Sequence, residues 1–150
     1  MEKARRPVPS LSASPFNRLL AIERQPSVVR AVQLVGKSSL GEADKVTLDV
    51  ARLIKEDFLQ QNGISTYDRY CPFYKTTAML KNLVTYYEQA VKAVEGDTLT
   101  WAKVRDSTSD LWFRLTQMKF EDPAHGEEAV LKPLQALHAD ILSQFQQISE

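Results

Sequence analysis

The chain has a single cysteine, Cys71, in 150 residues. An internal disulfide is therefore impossible, and a reducing compartment suits it best. It has no excess charge of either sign, because nineteen Lys and Arg balance nineteen Asp and Glu. That balance gives no support to a nucleic-acid partner or to direct binding at an anionic membrane. No apolar run approaches the roughly 18 residues that a membrane-spanning helix needs, so membrane association is expected only indirectly, through other proteins. Glycine and proline are sparse, at five and seven, which leaves long segments uninterrupted. Two scattered histidines, His125 and His138, and one cysteine give no metal-ligand spacing. No nucleophile, base and orienting group can be assembled from them, so no catalytic residue is assigned. The carboxylates read as solvated helix faces rather than as an acid–base pair.

What is present suits one globular core: 43% hydrophobic and 25% charged residues, in a chain of single-domain length. The charge is unevenly spread. Lys3, Arg5, Arg6, Arg18, Arg24 and Arg30 make the beginning basic, whereas Glu121, Asp122, Glu127, Glu128, Asp140 and Glu150 make the end acidic. Residues 1–26 carry Pro7, Pro9, Pro15 and Pro26 among serines and arginines, and they keep no helical or strand period. A disordered leader is expected there. An organellar transit peptide is the alternative, against which Glu2, Glu23 and the weak amphipathicity count.

From residue 27 onwards apolar residues recur at the helical period. A short helix is expected over Val28–Val35. A stronger one opens with Ser39 and Glu42 in capping-box spacing and carries Ala43, Val46, Val50, Leu53, Ile54 and Phe58 on one face. Asn62-Gly63 should end it, because both residues tolerate a left-handed conformation. A third helix over Thr76–Val94 shows Leu80, Leu83, Val84, Tyr87, Ala90, Val91 and Val94 as a stripe. A fourth carries Trp101, Val104, Thr108, Leu111, Leu115 and Met118, and the last carries Leu134, Leu137, Ile141, Phe145 and Ile148. Pro133 is harmless if the last helix starts there and lies inside it if the helix starts earlier. No alternating strand is visible. The expected fold is all-α, an irregular bundle of about five helices joined by short loops.

Two local motifs stand out. Ala31 to Ser38 has the loose spacing of a phosphate loop through Gly36, Lys37 and Ser38. Its middle is a helical apolar patch with no strand before it, so a helix ended by Gly36 is the better reading. The segment Tyr67-Asp-Arg-Tyr-Cys-Pro-Phe-Tyr-Lys75 packs four aromatics, a proline and a cysteine into nine residues. These rings either plug the end of a bundle or offer a stacking wall for a planar base, and residue chemistry alone leaves both open.

QLVGKSSLGEADKVTLDVARLIKEDFLQQNG followed by YDRYCPFYKTTAML resembles the C-terminal helical domain of catalytic A subunits of vacuolar-type rotary proton-pumping ATPases. NLVTYYEQAVKAVE, TWAKVRD and MKFEDPAHGE extend the likeness over about residues 28–150. The resemblance implies a lever whose turn, with Ser39, Gly41, Glu42, Asp44 and Lys45, meets the central rotor. It also implies that Cys71, Pro72 and Phe73 lie on the adenine side of the nucleotide pocket, with Phe73 as a stacking or apolar surface. In the family the counterpart of Cys71 can pair with a phosphate-loop cysteine, which this chain lacks. RQPSVVRA stands where the family has an acidic lead-in, and the phosphate-loop lysine, catalytic glutamate and magnesium ligands cannot be placed in residues 1–32. The implied cofactor is ATP in a full assembly, with Mg held elsewhere and no cofactor for this chain alone. The implied partners are the central stalk and the B subunit, on the cytosolic face of vacuolar or endomembranes. The competing expectations are a stand-alone non-catalytic helical module that binds the stalk or the head of such a pump and, more remotely, a small nucleotide-binding enzyme built on Gly36-Lys37-Ser38.

Overall fold

The computed structural model describes residues 41–96 and 98–150. The expected leader, the Val28–Val35 helix, the Ala31–Ser38 segment and Ser39 lie outside the described residues. Among the described residues there are six α-helices and no strand: α1 Glu42–Ile54, α2 Thr66–Arg69, α3 Phe73–Glu95, α4 Trp101–Ser107, α5 Ser109–Gln117 and α6 Glu127–Ser149. The chain is all-α, as the periodicity predicts.

Helix α1 buries Val46, Val50, Leu53 and Ile54 and rests Ala43 and Phe58 against the core, so its expected face is the observed one. Its two ends differ from expectation. The cap position is Gly41, which has no side chain to accept an amide, and Glu42 turns instead to Lys45 of its own helix and to the Trp101 amide. At the other end α1 runs into a π-helical turn over Lys55–Leu59, and Gln60 is already extended at φ −73° and ψ 123°. Asn62 then organises the following loop, its Oδ1 accepting the Ile64 amide at 3.0 Å. Gly126, at φ 95°, is the positive-φ glycine among the described residues, so Gly63 makes no left-handed stop. A side-chain turn replaces it, which asparagine forms readily.

Helix α3 is the central element. It packs along α6 and also against α1 and α4. Pro72 precedes its first residue, in extended geometry, so the helix starts three residues before the expected Thr76. The buried face is also rotated from the apolar stripe. Lys75, Met79, Asn82, Leu83, Tyr86, Ala90, Ala93 and Val94 are buried, whereas Leu80, Val84, Tyr87 and Val91 are only partly covered. The rotation puts three polar side chains inside, each with a partner. Asn82 Nδ2 donates to the Leu134 carbonyl of α6 at 2.9 Å. Tyr86 Oη and Thr108 Oγ1 are 2.9 Å apart. Lys75 is treated with the site below.

The expected fourth helix is two. All six of its stripe residues are buried, but Thr108 at φ −113° and ψ 24° separates α4 from α5. Its hydroxyl donates to the Val104 carbonyl at 2.8 Å, the back-bonding that disturbs helix geometry. Helix α6 begins at Glu127, so Pro133 lies inside it and returns no amide hydrogen bond. Leu134, Leu137, Ile141 and Phe145 are buried as expected. Each fully buried aliphatic side chain contributes about 1.5–3 kcal/mol.

Tyr86 is the hub of an aromatic cluster. Its ring meets Phe145 at 5.3 Å, Trp112 at 5.6 Å and Trp101 at 6.5 Å between centroids, all edge to face. Burial pushes its phenol up to about 12 from an ordinary 10.0. The native state therefore holds this proton more tightly than the unfolded chain, and stability falls as pH rises from 10.0 towards 12. Tyr86→Phe should cost about 1 kcal/mol at neutral pH through the lost hydrogen bond and should flatten that part of the alkaline slope. Urea unfolding at neutral and alkaline pH reads both effects. His138 gives the opposite slope. Its Nδ1 is buried without a hydrogen-bond partner, and burial together with Lys81 holds the imidazole below its ordinary 6.5. The unfolded chain then binds the proton more readily, so stability falls as pH drops through 6.5. Melting temperatures of His138→Leu across that range should lose the acid-side decline.

Candidate functional site

The residues expected to form a partner-facing turn stand at the start of α1. Gly41 and Asp44 are exposed. Glu42 and Lys45 pair through Oε1 and Nζ at 2.6 Å, a contact between side chains three residues apart on one helix face. The second Glu42 oxygen accepts the backbone amide of Trp101 at 2.6 Å. The Lys45 contact first, and then the Trp101 amide, hold the Glu42 carboxyl below its usual range. Ser39 lies outside the described residues. Further along the same face sits Asp49. Its Oδ2 accepts the Trp101 indole N–H at 2.8 Å and Arg105 Nη1 at 3.3 Å, and Arg105 lies over the Trp112 ring at 4.6 Å.

The other expected site follows the π-turn. Loop and short helix α2 lead to Cys71-Pro72-Phe73 at the start of α3. The structure sends these three side chains in different directions. Pro72 is buried and, with Thr66, Arg69, Tyr70, Tyr74 and Asp122, lines an open cleft of 490 Å³. Cys71 lines a separate 270 Å³ cavity with Phe58, Asp68, Lys75, Met79 and Lys119, and its Sγ lies 3.2 Å from Thr76 Oγ1. Phe73 borders neither and is 86% exposed. The ring of Tyr67 meets that of Phe120 edge to face at 4.9 Å, whereas Tyr70 is 72% exposed. Tyr67 and Tyr74 are partly buried, and Tyr70 and Phe73 are exposed.

Lys75 anchors this segment, and nothing in the periodicity singles it out. It is 1% exposed, and its ammonium donates to the Tyr67 carbonyl at 3.0 Å and the Lys119 carbonyl at 2.8 Å. Burial pushes its pKa down, and Cys71, Asp68, Glu121 and Asp122 work against that. Asp68, also buried, accepts the Asn62 amide at 3.0 Å and lies 3.7 Å from Lys119 Nζ. Only its place inside an aromatic loop marks Lys75, since lysine is seldom buried without partners. A second unanticipated feature is a 250 Å³ polar cleft lined by Asp49, Arg52, Glu56, Asp57, Arg105 and Trp112, where burial raises the Asp57 carboxyl above its usual range. Among the described residues no group of three His, Cys, Asp or Glu side chains is placed to hold a metal ion. Among them, too, no helix is long and apolar enough to cross a membrane.

The sequence profile of the C-terminal domain of V and A type ATP synthase matches residues 16–104. The chain is also similar to catalytic A subunits of V-type proton ATPases. It is 44% identical over 133 residues to that of Dictyostelium discoideum and 45% identical over 135 residues to that of Caenorhabditis elegans. To that of Hordeum vulgare it is 41% identical over 135 residues. Each alignment takes in 86% of this chain but only 22–23% of the relative, so the chain spans about a fifth of the length of these relatives. The profile covers more than half of the sequence and the helices form an all-α bundle, so this chain belongs to the family of C-terminal domains of V and A type ATP synthases.

Proposed function

We propose that this chain supplies the C-terminal helical part found in catalytic A subunits of V-type proton ATPases. In that role it is a lever against the central rotor and part of the adenine-side wall of a nucleotide pocket, in ATP-driven proton transport. The observation that carries the reading is the unbroken path of α1 and its π-turn, from Glu42 to Leu59. That path is about 27 Å long at 1.5 Å per residue. It joins the turn at Gly41–Lys45 to the loop that leads into Cys71–Phe73. A rigid element between a rotor-facing tip and a pocket-facing loop is what transmission of a domain movement requires.

At the tip the contact residues are Ser39, Gly41, Glu42, Asp44 and Lys45, and the partner is the central stalk. At the other end the exposed ring of Phe73 offers the base a stacking surface, Pro72 sets the start of α3, and Cys71 backs the loop from inside. The B subunit is the neighbour in the head, and attachment to a membrane is indirect, at the cytosolic face of vacuolar or endomembranes. ATP is the ligand of the full assembly. Contact with adenine alone does not hydrolyse it, because phosphoryl transfer depends on positioning and charge stabilisation at the phosphates. The described residues fit a base, through aromatic and proline surfaces, and supply no clustered ligand set for Mg.

Three measurements test this. The purified 150-residue chain should show no metal-dependent ATP turnover, and a sustained rate would overturn the division of labour. Phe73→Ala should change stability by less than about 0.5 kcal/mol, as surface substitutions do, yet should abolish adenosine-induced NMR shifts at Pro72 and Tyr74. Equal shifts in the variant would remove Phe73 from the wall. Lys75→Met should cost about 2–4 kcal/mol by leaving two buried carbonyls unpaired. Limited proteolysis should then cut between Asn62 and Arg69 much faster than in the unsubstituted chain.

A further inference from the structure

The turn at the start of α1 holds carboxylates of two kinds. Asp44 is exposed, with no hydrogen bond or ion pair to any described residue. Glu42 is engaged at both oxygens, one on Lys45 and the other on the Trp101 amide, 59 residues away in sequence. Trp101 is the first residue of α4. Its amide has no partner within that helix, as for any first-turn amide. The cap residue Thr100 serves a different amide, that of Lys103, at 3.4 Å. Glu42 therefore caps a helix other than its own. Asp49 lies seven residues on, two turns along the same face of α1, and takes the indole N–H of the same tryptophan. Trp101 is thus held twice by α1, at the backbone near the tip and at the ring deeper in the core. The ring is 4% exposed and meets Tyr86 and Trp112 edge to face.

We propose that Glu42 is a positioning residue: it locks the tip of α1 to the start of α4, so that force at the turn passes into the bundle. This rests on the reading of Gly41–Lys45 as partner-facing. Without the Glu42 tie the first turn of α1 keeps only the partly buried Ala43 against the core, and the tip frays more readily than the helices behind it. With the tie, tip and bundle move as one body.

The test uses the full chain, with amide hydrogen exchange at Trp101 as one readout and affinity for the isolated central stalk of a V-type proton ATPase as the other. Glu42→Ala should raise Trp101 exchange about tenfold and weaken stalk binding about tenfold, the scale of local opening when a single capping contact is lost. The unfolding midpoint in urea should move little, because Glu42 is partly exposed. Glu42→Gln keeps an acceptor oxygen for the amide and should restore most of the exchange protection and most of the binding. Asp44→Asn, on the same turn but without a contact to Trp101, should leave Trp101 exchange unchanged. Unchanged Trp101 exchange in Glu42→Ala would overturn the lock. Opened Trp101 with undiminished stalk binding in Glu42→Ala would overturn the positioning role while sparing the lock as a structural contact. If the unsubstituted chain does not bind the stalk, the partner-facing reading of the turn fails instead, and the proposal with it.

Discussion

A polar group taken out of water must keep a partner, and on α3 that requirement decides where the other elements sit. Lys75, Asn82 and Tyr86 lie seven and then four residues apart, on one face of the helix. Lys75 ties the aromatic loop to the residues after α5, Asn82 ties α3 to the α6 backbone, and Tyr86 ties it to the joint between α4 and α5. Hydrophobic burial supplies most of the stabilisation but is non-directional. These three contacts give it direction, because a helix shifted by one residue would leave each of them unpaired at a cost of about 1–3 kcal/mol.

The same logic governs α1, from the acceptor side. Glu42 and Asp49 are two turns apart and converge on one tryptophan, and Arg105 answers Asp49 from α4 while lying over the Trp112 ring. Helices α1, α4 and α5 are thereby joined around Trp101 and Trp112, which also meet each other and Tyr86. The aromatic cluster and the carboxylates make one connected patch that extends from the exposed turn at Gly41 to the centre of the bundle.

At the opposite end of α1 the architecture is looser. A π-turn, an Asx-type loop and a four-residue helix intervene before α3, and four large hydrophobic side chains, Leu59, Ile64, Tyr70 and Phe73, are exposed between the π-turn and the start of α3. π-helical turns recur at functional sites, and here the turn changes the direction of the chain ahead of the aromatic segment. Cys71, Pro72 and Phe73 are consecutive in sequence yet face two separate clefts and solvent. If the segment forms a wall, its exposed ring and not its cysteine is the part that meets a ligand.

By itself the sequence determined the helical class, the apolar face of α1, the stripe from Trp101 to Met118 and four core residues of α6, Leu134, Leu137, Ile141 and Phe145, though not Val130. Those features follow from local periodicity, which each segment carries within its own residues. The resemblance carried by the QLVGK and CPFYK segments also pointed to the family that the profile match supports. Only the tertiary structure decided which face of α3 is buried, because hydropathy ranks Lys75 and Asn82 as surface residues until the carbonyls that receive them are in place. Only it divided the expected fourth helix at Thr108, where a side chain competes for a backbone carbonyl. Only it turned Glu42 from a capping-box residue into the partner of Trp101. A backbone amide leaves no mark in a sequence, and a contact spanning 59 residues exists only once the helices have packed.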